Sequence, residues 1–106
     1  MNYMTKSDTI AKNLLDELIP YLPASSSDVK DEYEAGEYVA AARGAIHDLG
    51  MLRTDVTIQI LQDIETLLEQ IEAENEPFNL KFLTSMNTGY NQLKSRWILV
   101  NGDQSA

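Results

Sequence analysis

The chain has 106 residues, with 17 acidic residues, eight Lys and Arg residues, one His and no Cys. This length predicts one domain, residues 1–106, and the lack of cysteine excludes disulfides, thiolate zinc sites and cysteine nucleophiles. The formal net charge of -9 argues against nucleic acid as a partner, because the phosphates would repel the chain. Charged residues interrupt the N-terminal region, and no apolar run approaches the roughly 20 residues that span a bilayer. We therefore expect a cytoplasmic protein with no membrane partner.

The sequence pattern of residues 7–22 predicts the first helix. Ser7 is a suitable N-cap, and Pro20 and Pro23 predict a kinked last turn and then the end of the helix. Its apolar residues recur at helical spacing: Ile10, Leu14, Leu15 and Leu18.

The next region changes its apolar phase at Gly36, where a helix can end in the left-handed conformation. We predict two helices, 28–35 and 37–49, with one continuous helix as the alternative. Gly50 is then a C-terminal cap signal. Two different stripes carry the apolar residues, the first with Val29 and Tyr33 and the second with Val39, Ala42, Ile46 and Leu49.

The apolar spacing of residues 54–75 gives the clearest helix prediction, an amphipathic helix of about five turns that begins at Thr54 and Asp55 and ends near Asn75. A broad stripe of Val, Ile and Leu faces the core. The acids off this stripe are expected to face water: Asp63, Glu65, Glu69 and Glu72.

Pro77 ends that helix, and the last helix is predicted to begin near Asn79. Gly89 weakens it by about 1 kcal/mol relative to alanine. Residues 97–100 either continue it or form a short extended tail. With Tyr33 and Trp97 assigned to the core, the pattern predicts an all-α bundle of four or five helices.

The charge is uneven along the chain. Residues 28–76 hold 13 acids and three bases, whereas residues 77–106 hold one acid and three bases. Such a field accelerates encounter with a basic partner, although acidity also serves solubility alone. We expect the acids of 28–76 to form one concentrated anionic surface.

No sequence motif points strongly to a catalytic, metal or cofactor site. His47 is the only histidine, and no metal or cofactor site is predicted. The pairs Glu34/Glu37 and Glu69/Glu72 have the spacing by which all-α nucleotide pyrophosphatases hold magnesium. Such an enzyme needs all four acids to converge and basic residues for the triphosphate. It is the enzymatic alternative to a chain with no catalytic residue.

The segment DEYEAGEYVAAA at 31–42, followed by Ile46 and Leu49, resembles small helical bacterial toxin-immunity proteins, including those of contact-dependent growth inhibition and related polymorphic toxin systems. This resemblance implies a cytoplasmic inhibitor that binds a cognate toxin, often a basic nuclease, and blocks its active site. The same segment also resembles a tetratricopeptide unit at Gly36, Tyr38 and Ala41, but no later segment repeats those positions.

We therefore expect an antitoxin whose carboxylates replace substrate phosphates in a basic cleft, with an aromatic anchor. A helical adaptor or dimerisation module, including a homodimer, is the competing class. The expected partner-binding residues are Glu32, Glu34, Glu37, Tyr38, Asp55, Asp63, Glu65, Glu69 and Glu72.

Overall fold

The computed structural model describes residues 4–102, and within them the chain is helical and contains no strand. Five helices have seven or more residues, which confirms the predicted all-α class. None of the helices in this part of the chain is long and apolar enough to cross a membrane. The elements in chain order are α1 (Lys6–Leu18), a 3₁₀ turn (Ile19–Tyr21), α2 (Ser27–Glu34), α3 (Tyr38–Met51), α4 (Ile58–Glu74), α5 (Pro77–Leu80) and α6 (Leu83–Asn101).

Four helices form a ring around the core. α1 contacts α3 and α4, and α6 contacts the same two helices. α2 packs against α3, and α5 contacts α4. Tyr33 and Trp97 are half-buried and pack against the core. Its largest fully buried apolar side chains are Leu14, Leu15, Leu18, Val29, Ile46, Leu49, Ile64, Leu67, Ile71, Met86 and Leu93.

The start of α1 lies before the predicted cap. Thr5 is the N-cap, and it forms a capping box with Asp8. Ser7 is buried inside the helix, where its backbone N–H and its hydroxyl both donate to the Glu74 carboxylate, at 2.9 and 2.6 Å. The prediction of Ser7 as the cap was wrong, because this contact with α4 uses its hydroxyl.

Gly36 separates α2 from α3, as predicted. Its φ is +80°, a conformation that favours glycine, and a Cβ at this position would meet nothing within 4 Å. The change of direction therefore comes from the backbone alone. It places α2 outside the ring, with Val29 as its one buried side chain.

At Gly50 and Gly89 the backbones of α3 and α6 approach each other closely. A Cβ on Gly50 would lie 2.6 Å from the Gly89 carbonyl oxygen, and one on Gly89 would lie 2.4 Å from the Ile46 carbonyl oxygen. The predicted cap at Gly50 was wrong, since α3 continues to Met51. Gly89 lets the backbones of α3 and α6 touch, a role that helix propensity does not reveal.

The predicted start of the long helix at Thr54 and Asp55 was also wrong. α4 begins at Ile58, and the hydroxyl of its N-cap Thr57 accepts the Ile60 N–H. Its predicted end is confirmed, because Asn75 caps it in the left-handed conformation. Between the two helices, Arg53 has a φ of 50° and ends the turn that follows α3.

The last helix begins later than predicted and continues to Asn101. Pro77 opens the short helix α5, and α6 starts at Leu83. Residues 97–100 are helical, so the extended alternative was wrong. Ile98, Leu99 and Val100 remain exposed on this end of α6.

Candidate partner-binding surface

The acids around Gly36 form the first group of candidate residues. Val29 faces the core, so the opposite side of α2 faces water. Glu32 is half-buried, and the other acids of this region are exposed. We call this group the α2 surface; it consists of Asp28, Asp31, Glu32, Glu34 and Glu37.

The carboxylates of the α2 surface lie close enough to affect one another. The pKa of Glu32 is raised, first by burial and then by the negative charges of Glu37 and Asp28. Arg43 on α3 opposes this shift. Within residues 4–102, no acid of the α2 surface forms an ion pair with Lys or Arg. Its negative charge is therefore available to an external cation.

Tyr38 lies beside this surface but is engaged within the molecule. Its ring packs edge-to-face against Tyr33, with 5.5 Å between ring centroids and 75° between planes. Tyr33 also donates a 2.7 Å hydrogen bond to Asp16 on α1, and the Lys12 amine lies 5.7 Å from its ring centroid. These contacts attach α2 to both α1 and α3, and both tyrosines are half-buried.

On α4, three of the predicted glutamates share the side that faces α6. Glu65 accepts a hydrogen bond from the Tyr90 hydroxyl of α6, and Glu69 and Glu72 follow it at helical spacings. Burial and the Glu65 carboxylate raise the pKa of Tyr90 to about 12. Lys94 lies on this side too, 5.9 Å from the Tyr90 ring centroid. This region is therefore mixed in charge.

Asp63 lies on the other flank of α4, beside α1. The pKa of Glu17 on α1 is raised, first by burial and then by the hydrogen bond and the charge of Asp63. Asp63 also accepts a 2.9 Å hydrogen bond from Gln59. The two carboxyl groups thus form an unfavourable pair when both are ionised.

Asp55 is held by the chain's own arginine. Its carboxylate accepts hydrogen bonds from Arg96 at 2.6 and 3.4 Å. This pairing lowers the pKa of Asp55 and raises that of Arg96. Asp55 therefore ties the loop before α4 to α6, and its charge is compensated within the molecule.

The structure divides the predicted acids between two sides of the core. α2 lies against α3 and touches α1, whereas the Glu65 side of α4 faces α6. In the ring of four helices, the α1–α3 side is opposite the α4–α6 side. The expectation of one continuous anionic surface was therefore wrong. The partner-binding role of the individual residues stays a prediction.

The same division separates the two glutamate pairs of the enzymatic alternative. Glu34 and Glu37 belong to the α2 surface, whereas Glu69 and Glu72 are exposed on α4. Among residues 4–102, no group of three or more His, Asp or Glu side chains is placed to hold a metal ion. The four acids of that alternative do not converge.

Sequence reasoning missed a cleft lined by Arg53 and α6. The α6 positions involved, 91, 92, 95, 96 and 99, recur at helical spacing, so a helical projection would have shown that they share a side. No sequence signal pointed to Arg53, because its left-handed conformation normally favours glycine.

Comparisons of the chain with protein-family models, curated proteins and solved structures found no match. The resemblance of residues 31–42 to toxin-immunity proteins stays a prediction.

Proposed function

We propose that this protein is an immunity protein that binds a cognate bacterial toxin domain and neutralises it through the α2 surface. The observation that supports the proposal most is the outward stripe of Asp28, Asp31 and Glu34, whose side chains are exposed and form no ion pair with a base of residues 4–102. Carboxylates held in this way attract a basic active-site cleft.

The proposed mechanism has an electrostatic and a steric part. Residues 28–37 contain five acids and one base, so their field speeds encounter with a cationic partner. Side chains three or four positions apart on a helix have Cβ atoms about 5–6 Å from each other. The α2 surface therefore presents closely spaced anions in place of substrate phosphates, while the bundle behind it blocks access to the cleft.

The α4 acids are less suited to this role. Glu65 is hydrogen-bonded to Tyr90, Asp55 is paired with Arg96, and the Lys94 amine lies 5.9 Å from the Tyr90 ring centroid. Of the predicted acids on this side, only Glu69 and Glu72 form no hydrogen bond or ion pair within residues 4–102, so a basic partner would meet fewer free carboxylates here than on the α2 surface. The α2 surface is the stronger candidate for this reason.

The test uses the toxin domain encoded by the neighbouring open reading frame. The protein is expressed with this domain, and cell survival and the activity of the purified toxin domain are measured. We expect Asp31→Lys combined with Glu34→Lys to abolish protection. The control, Glu69→Lys combined with Glu72→Lys, changes the net charge equally and should still protect. Full protection by the α2 variant would contradict the proposal.

The exposed apolar end of the bundle favours a helical adaptor or dimerisation module as the second candidate. Leu99 is 76% exposed, and Met51, Leu52, Ile98 and Val100 are each about half exposed or more. An interface built on these side chains should respond little to salt, whereas capture of a basic toxin should weaken as ionic strength rises. Dimerisation that persists at high salt and is lost in Leu99→Asp would favour this candidate.

A further inference from the structure

An open cleft of about 460 Å³ lies between the end of α3 and α6. Volumes of about 300–1,000 Å³ are usual for small-molecule sites. The charged residues that line the cleft are basic, in contrast to the carboxylates of the α2 surface. It is lined by Arg53, Asn91, Gln92, Ser95, Arg96 and Leu99.

The polar side chains of the cleft supply hydrogen-bond donors. Arg53 is exposed and forms no ion pair within residues 4–102. The amide nitrogen of Gln92 has only a weak contact, 3.8 Å from the sulfur of Met51. Asn91 and Ser95 are exposed beside them. A ligand that supplies acceptor oxygens fits this lining.

Backbone geometry places Arg53 at the cleft. After α3, the Arg53 N–H donates to the Gly50 carbonyl and the Thr54 N–H donates to the Leu49 carbonyl, at 3.0 and 3.1 Å. These bonds form a Schellman turn, in which glycine usually occupies the left-handed position. Here an arginine occupies it with a φ of 50°. The chain thus keeps a guanidinium at the cleft in a backbone conformation that glycine would adopt with less strain.

We propose that this cleft binds a peptide carboxylate with a neighbouring apolar side chain. Asp55 already compensates Arg96, so Arg53 supplies about one uncompensated positive charge. One charge matches a carboxylate better than a dianionic phosphate, particularly in a chain of net charge -9. Leu99, the most exposed large apolar side chain of residues 4–102, supplies the apolar contact at the edge of the cleft.

The test is a titration followed by NMR of the ¹⁵N-labelled arginine side chains. N-acetyl-leucine carries a terminal carboxylate, acetyl-leucyl-glutamyl amide carries a side-chain carboxylate, and N-acetyl-leucinamide carries none. We expect the better carboxylate ligand to bind in the low-millimolar range, at least tenfold more tightly than N-acetyl-leucinamide. Which of the first two binds more tightly identifies the source of the carboxylate.

Arg53→Gly is the decisive variant, because it removes the guanidinium while retaining a residue suited to positive φ. It should remove the binding without unfolding the protein. Lys81→Gln removes one positive charge elsewhere and should bind as the unsubstituted chain does. Equal binding of N-acetyl-leucine and its amide, unchanged binding by Arg53→Gly, or tighter binding of inorganic phosphate would each overturn the proposal.

Discussion

Glycine has different roles at the α3–α6 contact and at the turn between α2 and α3. At Gly50 and Gly89, two helices approach until backbone touches backbone, and a single methyl group would collide with carbonyl oxygens. At Gly36 the surroundings are empty, and only the positive φ requires glycine. The first region is constrained by packing, and the second is constrained by its backbone conformation.

This difference indicates which region can be substituted with little loss of stability. α3 and α6 contribute much of the buried core, whereas α2 buries one side chain and exposes most of its acids. Substitutions on the outer side of α2 therefore change charge without removing core contacts. The charge of the α2 surface can therefore be changed while the ring of helices keeps its fold.

The largest effect is expected from Gly89→Ala. The added Cβ would lie 2.4 Å from the Ile46 carbonyl oxygen, so α3 and α6 must separate. We expect a loss of about 3 kcal/mol in the free energy of unfolding, measured by urea denaturation. Thr88→Ala, on the exposed side of the same helix, is the control. A loss below about 1 kcal/mol would contradict a close backbone contact between α3 and α6.

Val29→Ala tests how α2 is attached. Removing two buried methyl groups should lower the stability of α2 by about 2 kcal/mol. Hydrogen exchange should accelerate at the amides of residues 30–35 and much less in α6. Equal acceleration in both helices would mean that α2 and the ring unfold as one unit, and the comparison between the regions would fail.

Gly36→Ala should have a smaller effect, about 1 kcal/mol, because it adds backbone strain without a collision. Gly36→Asn should be less destabilising, since asparagine tolerates positive φ better than alanine does. Thermal denaturation of both variants measures the difference. A Gly36→Ala loss equal to that of Gly89→Ala would remove the distinction between the two kinds of glycine.

Asp63→Asn should give the smallest effect, and one that depends on pH. The raised pKa of Glu17 means that the folded chain binds a proton which the unfolded chain has already released, so this pair lowers stability as pH rises through the raised value. Removing the Asp63 charge should stabilise the protein at pH 7 by less than about 1 kcal/mol, and less at pH 4. An equal gain at both pH values in urea denaturation would contradict this assignment.

Apolar periodicity predicted the five longer helices, because helices in a bundle must bury one stripe each, but it did not predict α5 or the exact helix starts. It also located the break at Gly36, where the stripe changes phase. It could not assign Gly50 and Gly89, since their role depends on which two helices meet. Ser7 has the side chain of an N-cap residue, and only the folded structure shows that its hydroxyl instead donates to Glu74 on another helix.

The sequence predicted that residues 28–76 are acidic, but it did not predict where their side chains lie on the surface. The side of the core on which each acid lies depends on the order of the helices around the ring. That order separated Glu34 from Glu69. It also brought Arg96 to Asp55 across 41 positions of the chain, a pairing that local spacing does not encode.

The most direct test of the α2 surface is the association rate with the toxin domain, measured by stopped flow at low and at high salt. We predict that Asp31→Lys with Glu34→Lys slows association at least tenfold at low salt and removes most of its salt dependence. Glu69→Lys with Glu72→Lys should change the rate by less than about threefold. Equal slowing by both variants would show that only net charge matters and would contradict a dedicated α2 surface.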